Sequence, residues 1–144
     1  ATATGTLYYQ CIPVTHRGSA SGFLVLSGHA IDAFDEGLKA VHPNAVSLVV
    51  LMGLTGRGQL AATLMTRGWR ADTPAAIICG ASTPEAWVWT GTLAQMDATE
   101  VPDGVAGVLV IGDVVLVREA LAAASAAPSE EEAGSSEVKY GRNR

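Results

Sequence analysis

Short apolar runs separated by turn residues recur along the chain and predict a series of buried strands. Each run is four to seven residues long and is bounded by glycine or by a cluster of small turn residues. The runs are Phe23 to Leu26, Ser47 to Met52, Ala75 to Cys79, and Val105 to Ile111 with an interruption at Gly107. The second run is apolar at nearly every position, which is typical of a strand buried on both faces of a parallel or mixed sheet.

A fifth strand is predicted from alternation rather than from a continuous apolar run. Between Glu85 and Thr90 the side chains alternate, so that Trp87 and Trp89 share one face, and Gly91 ends the segment. Two tryptophans on one strand face more often pack in a core or against a second subunit than stack on a ligand. Both of those interpretations remain open from the sequence.

Helical spacing of apolar residues lies between the predicted strands. One helix is predicted from Asp32 to Val41, a second from Gly58 to Arg67 with Gly68 as a left-handed cap, and a brief one from Thr92 to Met96. A closing helix is predicted from Val114 onward. The order strand, helix, strand around the second helix predicts a right-handed crossover and a parallel pair of the strands on either side of it. The fold class is therefore α/β, with a mixed, mostly parallel sheet flanked by helices.

A loop of small residues, Gly80 to Pro84, follows the predicted strand Ala75 to Cys79. In α/β proteins, a loop of this kind beyond the carboxyl end of a strand allows a ligand to approach the backbone closely. The alternative is an ordinary connection between two strands.

Composition and charge exclude several classes of protein. The 144 residues carry a formal charge of −5 and no basic cluster, which does not suit a nucleic-acid partner. No apolar stretch is long enough to span a membrane, and no signal peptide is recognisable. The two cysteines, Cys11 and Cys79, lack metal-ligand spacing, and they favour a reduced, cytoplasmic setting.

The composition changes near the carboxyl end of the chain. We interpret residues 1 to 127 as one folded domain and residues 128 to 144, rich in Ser, Glu and Gly, as a disordered tail. The chain begins with a run of small residues, ATATGT, and without an initiator Met. We therefore expect that it is part of a longer protein.

Candidate chemistry is sparse. The three histidines, His16, His29 and His42, lie far apart in or beside loops, and with the acidic residues they form no nucleophile triad or metal set. No phosphate-binding glycine motif is present. The individual residues therefore do not identify a reaction.

Seven motifs taken together resemble one family. In chain order they are Thr15-His16-Arg17-Gly18, Ser27-Gly28-His29, Val49 to Leu54 (VVLMGL), Ala71 to Pro74 (ADTP), Ser82-Thr83-Pro84, Thr90 to Leu93 (TGTL) and Ile111 to Val115 (IGDVV). Their order and approximate spacing are similar to those of the uroporphyrinogen-III C-methyltransferases, members of the tetrapyrrole methylase family. The resemblance covers the C-terminal half of that family, from about Ala1 to about Leu121.

The resemblance implies a fold and an activity. Family members have two α/β domains, usually within a homodimer, and bind S-adenosylmethionine in the cleft between them. They use no metal, and they methylate uroporphyrinogen III to give precorrin-2 on the way to sirohaem and cobalamin. The resemblance thus implies that this chain is the donor-binding half, with its catalytic groups in an N-terminal methylase half, so that the isolated chain is inactive.

The resemblance also implies roles for particular residues. The donor-binding positions correspond to Met52, to Ala81 with its neighbour Gly80, and to Ala1 with Thr2. At position 81 the chain departs from the family, which has glycine there. Arg17 and His16 are the expected cations for the substrate carboxylates, and a purely structural role for them is the alternative.

Two other functions remain open. The first is a non-catalytic ligand-binding or assembly module with the same fold, and a natural start at Ala1 would favour it. The second is a related methylase that acts on a later corrin intermediate. The TPAAII and TGTL segments favour the uroporphyrinogen enzyme over the second alternative.

Overall fold

A computed structural model of the chain describes residues 12 to 126. Ala1, Thr2, Cys11 and the predicted tail lie outside these residues. The described elements, in chain order, are β1 (Phe23–Ser27), α1 (Ile31–Leu38), β2 (Ser47–Leu51), α2 (Arg57–Thr66), β3 (Pro74–Cys79), β4 (Trp87–Thr92), a 3-10 turn (Leu93–Gln95), β5 (Gly107–Ile111) and α3 (Val114–Ala126).

The five strands form one mixed sheet in the order β1, β2, β5, β3, β4. β1 pairs with β2 in parallel, whereas the β2–β5, β5–β3 and β3–β4 pairs are antiparallel. As a result β1, β2 and β3 run in one direction, and the predicted α/β class with a mixed sheet is confirmed. The sheet is not mostly parallel in its pairing, because three of the four neighbouring strand pairs are antiparallel. The predicted pairing of β2 with β3 is wrong, because β5 lies between them. Apolar patterning shows that a strand is buried, but it does not show which strand pairs with it.

The two faces of the sheet bury separate cores. α1 and α2 cover one face, where Phe34 and Leu64 pack against Val50, Ile77 and other side chains of the central strands. α3 and the segment that precedes β1 cover the opposite face, where their buried residues are Ile12, Ala20, Val114 and Val115. This double cover explains why β2, β3 and β5 are apolar on both faces.

β4 is an edge strand and begins two residues later than predicted. A turn precedes it, in which Ala86 N donates to Thr83 O at 3.1 Å. Trp87 and Trp89 are half-buried and pack against the α1–α2 core. The structure thus confirms the core interpretation of the two tryptophans.

The predicted helices are present with small changes at their ends. α2 ends at a left-handed glycine as predicted, since Gly68 has φ +96° and Trp69 N donates to Leu64 O at 3.0 Å. α1 ends at Leu38, three residues before the predicted Val41. The predicted short helix after Thr92 is a single 3-10 turn, where Gln95 Oε1 accepts a hydrogen bond from Thr92 N at 3.1 Å.

Candidate functional site

The carboxyl ends of β1, β2 and β3 meet at one edge of the sheet because these strands run in the same direction. The residues that follow them are Gly28, Met52 and Gly80. The segment that leads into β5 also lies at this edge, because β5 is antiparallel to β2 and β3 and begins here. In open α/β sheets the carboxyl edge of parallel strands is the usual place for a ligand.

Met52 turns the chain immediately after β2. It has φ +54°, in the left-handed region that a residue with a side chain seldom adopts, and 67 % of its surface is exposed. Among residues 12 to 126 its N–H group has no acceptor. A strained, exposed backbone with a free donor at a sheet edge is typical of a binding position.

The loop after β3 is a tight turn made from small residues. Gly80 has φ +58°, and its carbonyl accepts hydrogen bonds from Thr83 N at 3.0 Å and Thr83 Oγ1 at 2.6 Å. Gly80 N donates to Ala106 O at 3.2 Å, which joins the loop to the segment before β5. The N–H groups of Ala81 and Ser82 have no acceptor within the described part of the chain. The loop therefore presents free backbone donors on a fixed frame.

Met52, Gly80 and Ala81, the three predicted donor-binding residues that the structure describes, line one cavity of about 620 Å³. Leu51, Ile78, Val105 and Val108 give this cavity apolar walls, and Thr83 and Glu85 line it with polar groups. We call it the β2–β3 cavity. From the sequence alone, only the family resemblance brings these residues together.

The segment from Gly104 to Val108 forms a wall of the β2–β3 cavity that the sequence analysis missed. It reaches the cavity because β5 pairs between β2 and β3, a pairing that the chain order does not show. The signal in the sequence is the pair of glycines. Gly107 packs against Leu54, where an added Cβ would lie 3.0 Å from Leu54 Cδ2, and Gly104 has φ +70°.

A smaller cavity of about 360 Å³ adjoins the first and shares Met52 with it. Gly28, His29, Thr55 and Gln59 are among the residues that line it. His29 is exposed, and its backbone N–H donates to Ser27 Oγ at 3.3 Å. Among the described histidines, His29 is therefore the one that lines either of these two cavities.

His16 and Arg17 do not join this arrangement. Both are exposed in a turn before β1, closed by the hydrogen bond from His16 N to Ala20 O at 3.0 Å, and neither lines the two cavities. Ala1 and Thr2 lie outside the described residues. The structure thus brings together three of the seven predicted site residues.

Other chemical groups in the described chain do not line the β2–β3 cavity. Burial raises the pKa of the Cys79 thiol, which points to a structural role for that side chain. A groove of about 700 Å³ between α1 and α2 is lined by the ion-paired Asp35 and Arg67. It shares Ile31 and Gln59 with the smaller cavity, but none of the predicted donor-binding residues lines it. Within residues 12 to 126, no cluster of three or more His, Cys, Asp or Glu side chains could hold a metal ion. The helices of the described part are each too short or too polar to cross a membrane.

The chain is similar to curated siroheme synthases over most of its length. The chain is 35 % identical over 123 residues to a siroheme synthase of Thiobacillus denitrificans and 38 % identical over 125 residues to one of Nitrosomonas eutropha. Each match covers 83 % of this chain and 26 % of the relative. No protein-family model matches the chain.

A solved structure gives the same result. The crystal structure of uroporphyrin-III C-methyl transferase from Thermus thermophilus, complexed with S-adenyl homocysteine, superposes with a TM-score of 0.64 at 28 % identity. The superposition covers 78 % of this chain and 51 % of that structure. The chain thus spans about a quarter of the siroheme synthases and about half of the solved methyltransferase that it matches. In sequence and in fold, it resembles the C-terminal part of the tetrapyrrole methylases.

Proposed function

We propose that this chain is the donor-binding half of an S-adenosylmethionine-dependent C-methyltransferase that acts on uroporphyrinogen III and leads to precorrin-2. The observation that carries the proposal is the β2–β3 cavity, in which Met52, Gly80 and Ala81 converge at the carboxyl edge of the sheet. The similarity to a methyltransferase structure determined with S-adenyl homocysteine supports the same ligand class.

The residues present fit an adenosine-containing donor. A volume of about 620 Å³ lies within the range of roughly 300 to 1,000 Å³ that small-molecule pockets occupy. The apolar walls suit the adenine ring, and the free N–H groups of Met52 and Ala81 can donate to its polar edge or to the ribose. Position 81 carries only one methyl group more than the glycine expected from the family, so the backbone remains accessible.

S-adenosylmethionine supplies an electrophilic methyl group when it is bound. The residues of this chain bind and orient the donor, and most of the rate enhancement in such a transfer comes from positioning. A second wall, with the groups that face the tetrapyrrole, is expected from an N-terminal methylase half. We further propose that His29, in the adjoining cavity, and Arg17 with His16 meet substrate carboxylates, and that the protein forms a homodimer.

Donor affinity and turnover, measured together, test the proposal. S-adenosylmethionine and S-adenosylhomocysteine are titrated by calorimetry into the chain alone and into the chain supplied with an N-terminal methylase half, fused or in trans. We call the latter the two-half protein. One-sided burial leaves much of a ligand in water, so we expect the chain alone to bind at least roughly tenfold more weakly. Only the two-half protein should methylate uroporphyrinogen III.

Each other outcome has a definite meaning. Methylation by the chain alone at an ordinary enzymatic rate would contradict the half-site interpretation. Absence of donor binding by both proteins would contradict the proposed function. Donor binding with turnover of a later corrin, but not of uroporphyrinogen III, would identify the alternative methylase. Ligand binding without turnover in the two-half protein would favour a non-catalytic module.

A further inference from the structure

Arg57 is the first residue of α2 and makes an unusual set of contacts with backbone carbonyls. Its NH1 group donates to Leu54 O at 2.9 Å, its Nε to Met96 O at 3.1 Å and its NH2 to Thr99 O at 2.6 Å. A longer contact joins NH2 to Asp97 O at 3.4 Å. In the described part of the chain no carboxylate pairs with this guanidinium. Arg57 therefore acts as a cross-link between main-chain segments rather than as half of an ion pair.

The two segments that Arg57 joins are far apart in sequence. Leu54 belongs to the turn that follows β2, two residues after Met52, whereas Met96 and Thr99 belong to the connection that leads from the 3-10 turn to β5. Both connections continue directly into walls of the β2–β3 cavity, the first at Met52 and the second at Gly104 to Val108. A single half-buried side chain thus links the two connections.

Leu54 carries this constraint to the cavity wall. While its carbonyl is held by Arg57, its side chain packs against Gly107, where a Cβ would lie 3.0 Å from Leu54 Cδ2. Hydrogen bonding gives the turn little other support, because the N–H groups of Met52 and Gly53 have no acceptor among the described residues. Loss of the cross-link would therefore free Leu54 and, with it, the contact between the Met52 turn and Gly107.

We propose that Arg57 is a positioning residue for the β2–β3 cavity. It holds the Met52 wall and the wall before β5 at the spacing that a donor requires. The proposal rests on the donor-binding function proposed above. Arg57 does not line the cavity and acts through Leu54 and residues 96 to 99.

Arginine is required for this role because of its geometry. A planar guanidinium presents five donors in a fixed fork and can reach several carbonyls at once, whereas a lysine ammonium provides one point charge on a flexible stem. Arg57→Lys keeps the charge and most of the length of the side chain. It should therefore remove the cross-link without removing the electrostatic contribution of Arg57.

A matched control exists at the opposite edge of the sheet. Asn44 also joins two connections, since Arg70 N donates to Asn44 Oδ1 at 3.0 Å and Asn44 Nδ2 donates to Thr73 Oγ1 at 2.8 Å. These bonds precede β3 at its amino end, away from the cavity. Asn44→Ala should lower stability by breaking a comparable network, with no effect on the cavity walls.

The decisive experiment compares the two variants in the two-half protein. Thermal melts record the stability loss, and calorimetry records the dissociation constant of S-adenosylhomocysteine. For Arg57→Lys we expect the dissociation constant to rise roughly tenfold, because the loss of one or two charge-assisted hydrogen bonds changes the cavity geometry. For Asn44→Ala, at a similar loss of melting temperature, we expect affinity within about twofold of the unsubstituted protein.

Hydrogen exchange of the chain alone gives a readout that does not depend on the ligand. Arg57→Lys should speed exchange in residues 52 to 56 and 98 to 107 together, and Asn44→Ala should not. Unchanged donor affinity in Arg57→Lys, or an equal loss in Asn44→Ala, would overturn the proposal. If the unsubstituted two-half protein binds no donor, the proposed function is wrong. The role of Arg57 is then judged by hydrogen exchange alone, and faster exchange in only one of the two segments would overturn it.

Discussion

Gly28 and Gly53 contact each other through their backbones at the point where β1 and β2 end. A Cβ on Gly28 would lie 2.7 Å from Gly53 Cα and 2.8 Å from Leu60 Cδ1, and a Cβ on Gly53 would lie 2.8 Å from the same Leu60 atom. Leu60 is buried in α2, so neither side of this contact has room to move. The absence of two side chains therefore lets β1, β2 and α2 pack closely at the residues next to His29 and Met52 in the chain.

Alanine at either position should lower stability. We expect Gly53→Ala to cost about 1 to 3 kcal/mol in the free energy of unfolding, the usual effect of overpacking a tight core. In the two-half protein it should also weaken donor binding, because the turn at Met52 has to shift. Urea denaturation and calorimetry measure the two effects.

Gly22→Ala is the matched control for this prediction. A Cβ there would meet only Val46 Cγ1 at 3.7 Å, an ordinary van der Waals distance. Its free energy of unfolding should stay within about 0.5 kcal/mol of the unsubstituted chain. A Gly53→Ala chain as stable as Gly22→Ala would contradict the close-packing argument.

The ion pair of Asp35 and Arg67 predicts a pH dependence of stability. Arg67 Nε and NH2 donate to the two carboxylate oxygens at 2.5 and 2.6 Å and join α1 to the end of α2. This hydrogen bonding, aided by the positive charge of Arg67, lowers the pKa of Asp35, while partial desolvation opposes the shift. A carboxyl whose pKa is lower in the folded state stabilises the fold above its unfolded pKa, and this stabilisation is lost as the pH falls through the folded pKa.

Asp35→Asn tests this sign. The unsubstituted chain should be more stable than Asp35→Asn between pH 5 and 7, and the difference should shrink as the pH falls below about 4. The pair is partly exposed, so the effect should also decrease in high salt. The control is Glu36→Gln, which removes the exposed pair with Lys39 but no hydrogen bond to Arg67, and it should leave the profile close to that of the unsubstituted chain. A difference between the Asp35→Asn and unsubstituted chains that is independent of pH would contradict the assignment.

The strands were largely predictable because burial on two faces leaves a strong mark on a sequence. The runs at Ser47 and Ala75 are apolar at almost every position and are fully or mostly buried. β5 was also recognised as a strand. Its place between β2 and β3 was not, because the pairing joins residues about 30 to 60 positions apart and depends on the whole sheet. For the same reason, the sequence does not predict that residues Gly104 to Val108 line the β2–β3 cavity.

The candidate site was predicted through the resemblance, and its supporting residues were not predicted at all. The left-handed turn at Met52 has no sequence signal, since methionine does not favour positive φ. Arg57 has the appearance of an ordinary charged residue at the start of a helix. Its role depends on three carbonyls from segments that only the tertiary fold brings together.

The segment from Pro128 to Arg144 is predicted to be dispensable for stability. It has almost nothing apolar to bury, so its loss removes little favourable contact from the fold. Thermal melts of the full chain and of a version ending at Ala127 should agree. A large loss of melting temperature on truncation would contradict this domain boundary.

The final prediction concerns Ala81, where a larger side chain should block the backbone of the Gly80 loop. Ala81 is half-buried, lines the β2–β3 cavity and has a free N–H group among the described residues. Ala81→Leu in the two-half protein should weaken S-adenosylmethionine binding by roughly tenfold or more, because the added atoms occupy the space through which a ligand reaches that N–H. Calorimetry of the donor beside turnover of uroporphyrinogen III measures the effect.

The same substitution elsewhere separates this effect from a general loss of stability. Ala62 is exposed on α2 and outside the β2–β3 cavity, so Ala62→Leu should leave donor affinity unchanged, as should Glu130→Ala in the predicted tail. Ala81→Leu should retain the melting temperature of the unsubstituted protein to within a few degrees, since position 81 is only half-buried and lines a cavity that can take the added atoms. Normal donor binding by Ala81→Leu would show that the Gly80 loop is not part of the donor site, even if the two-half protein is an active methyltransferase.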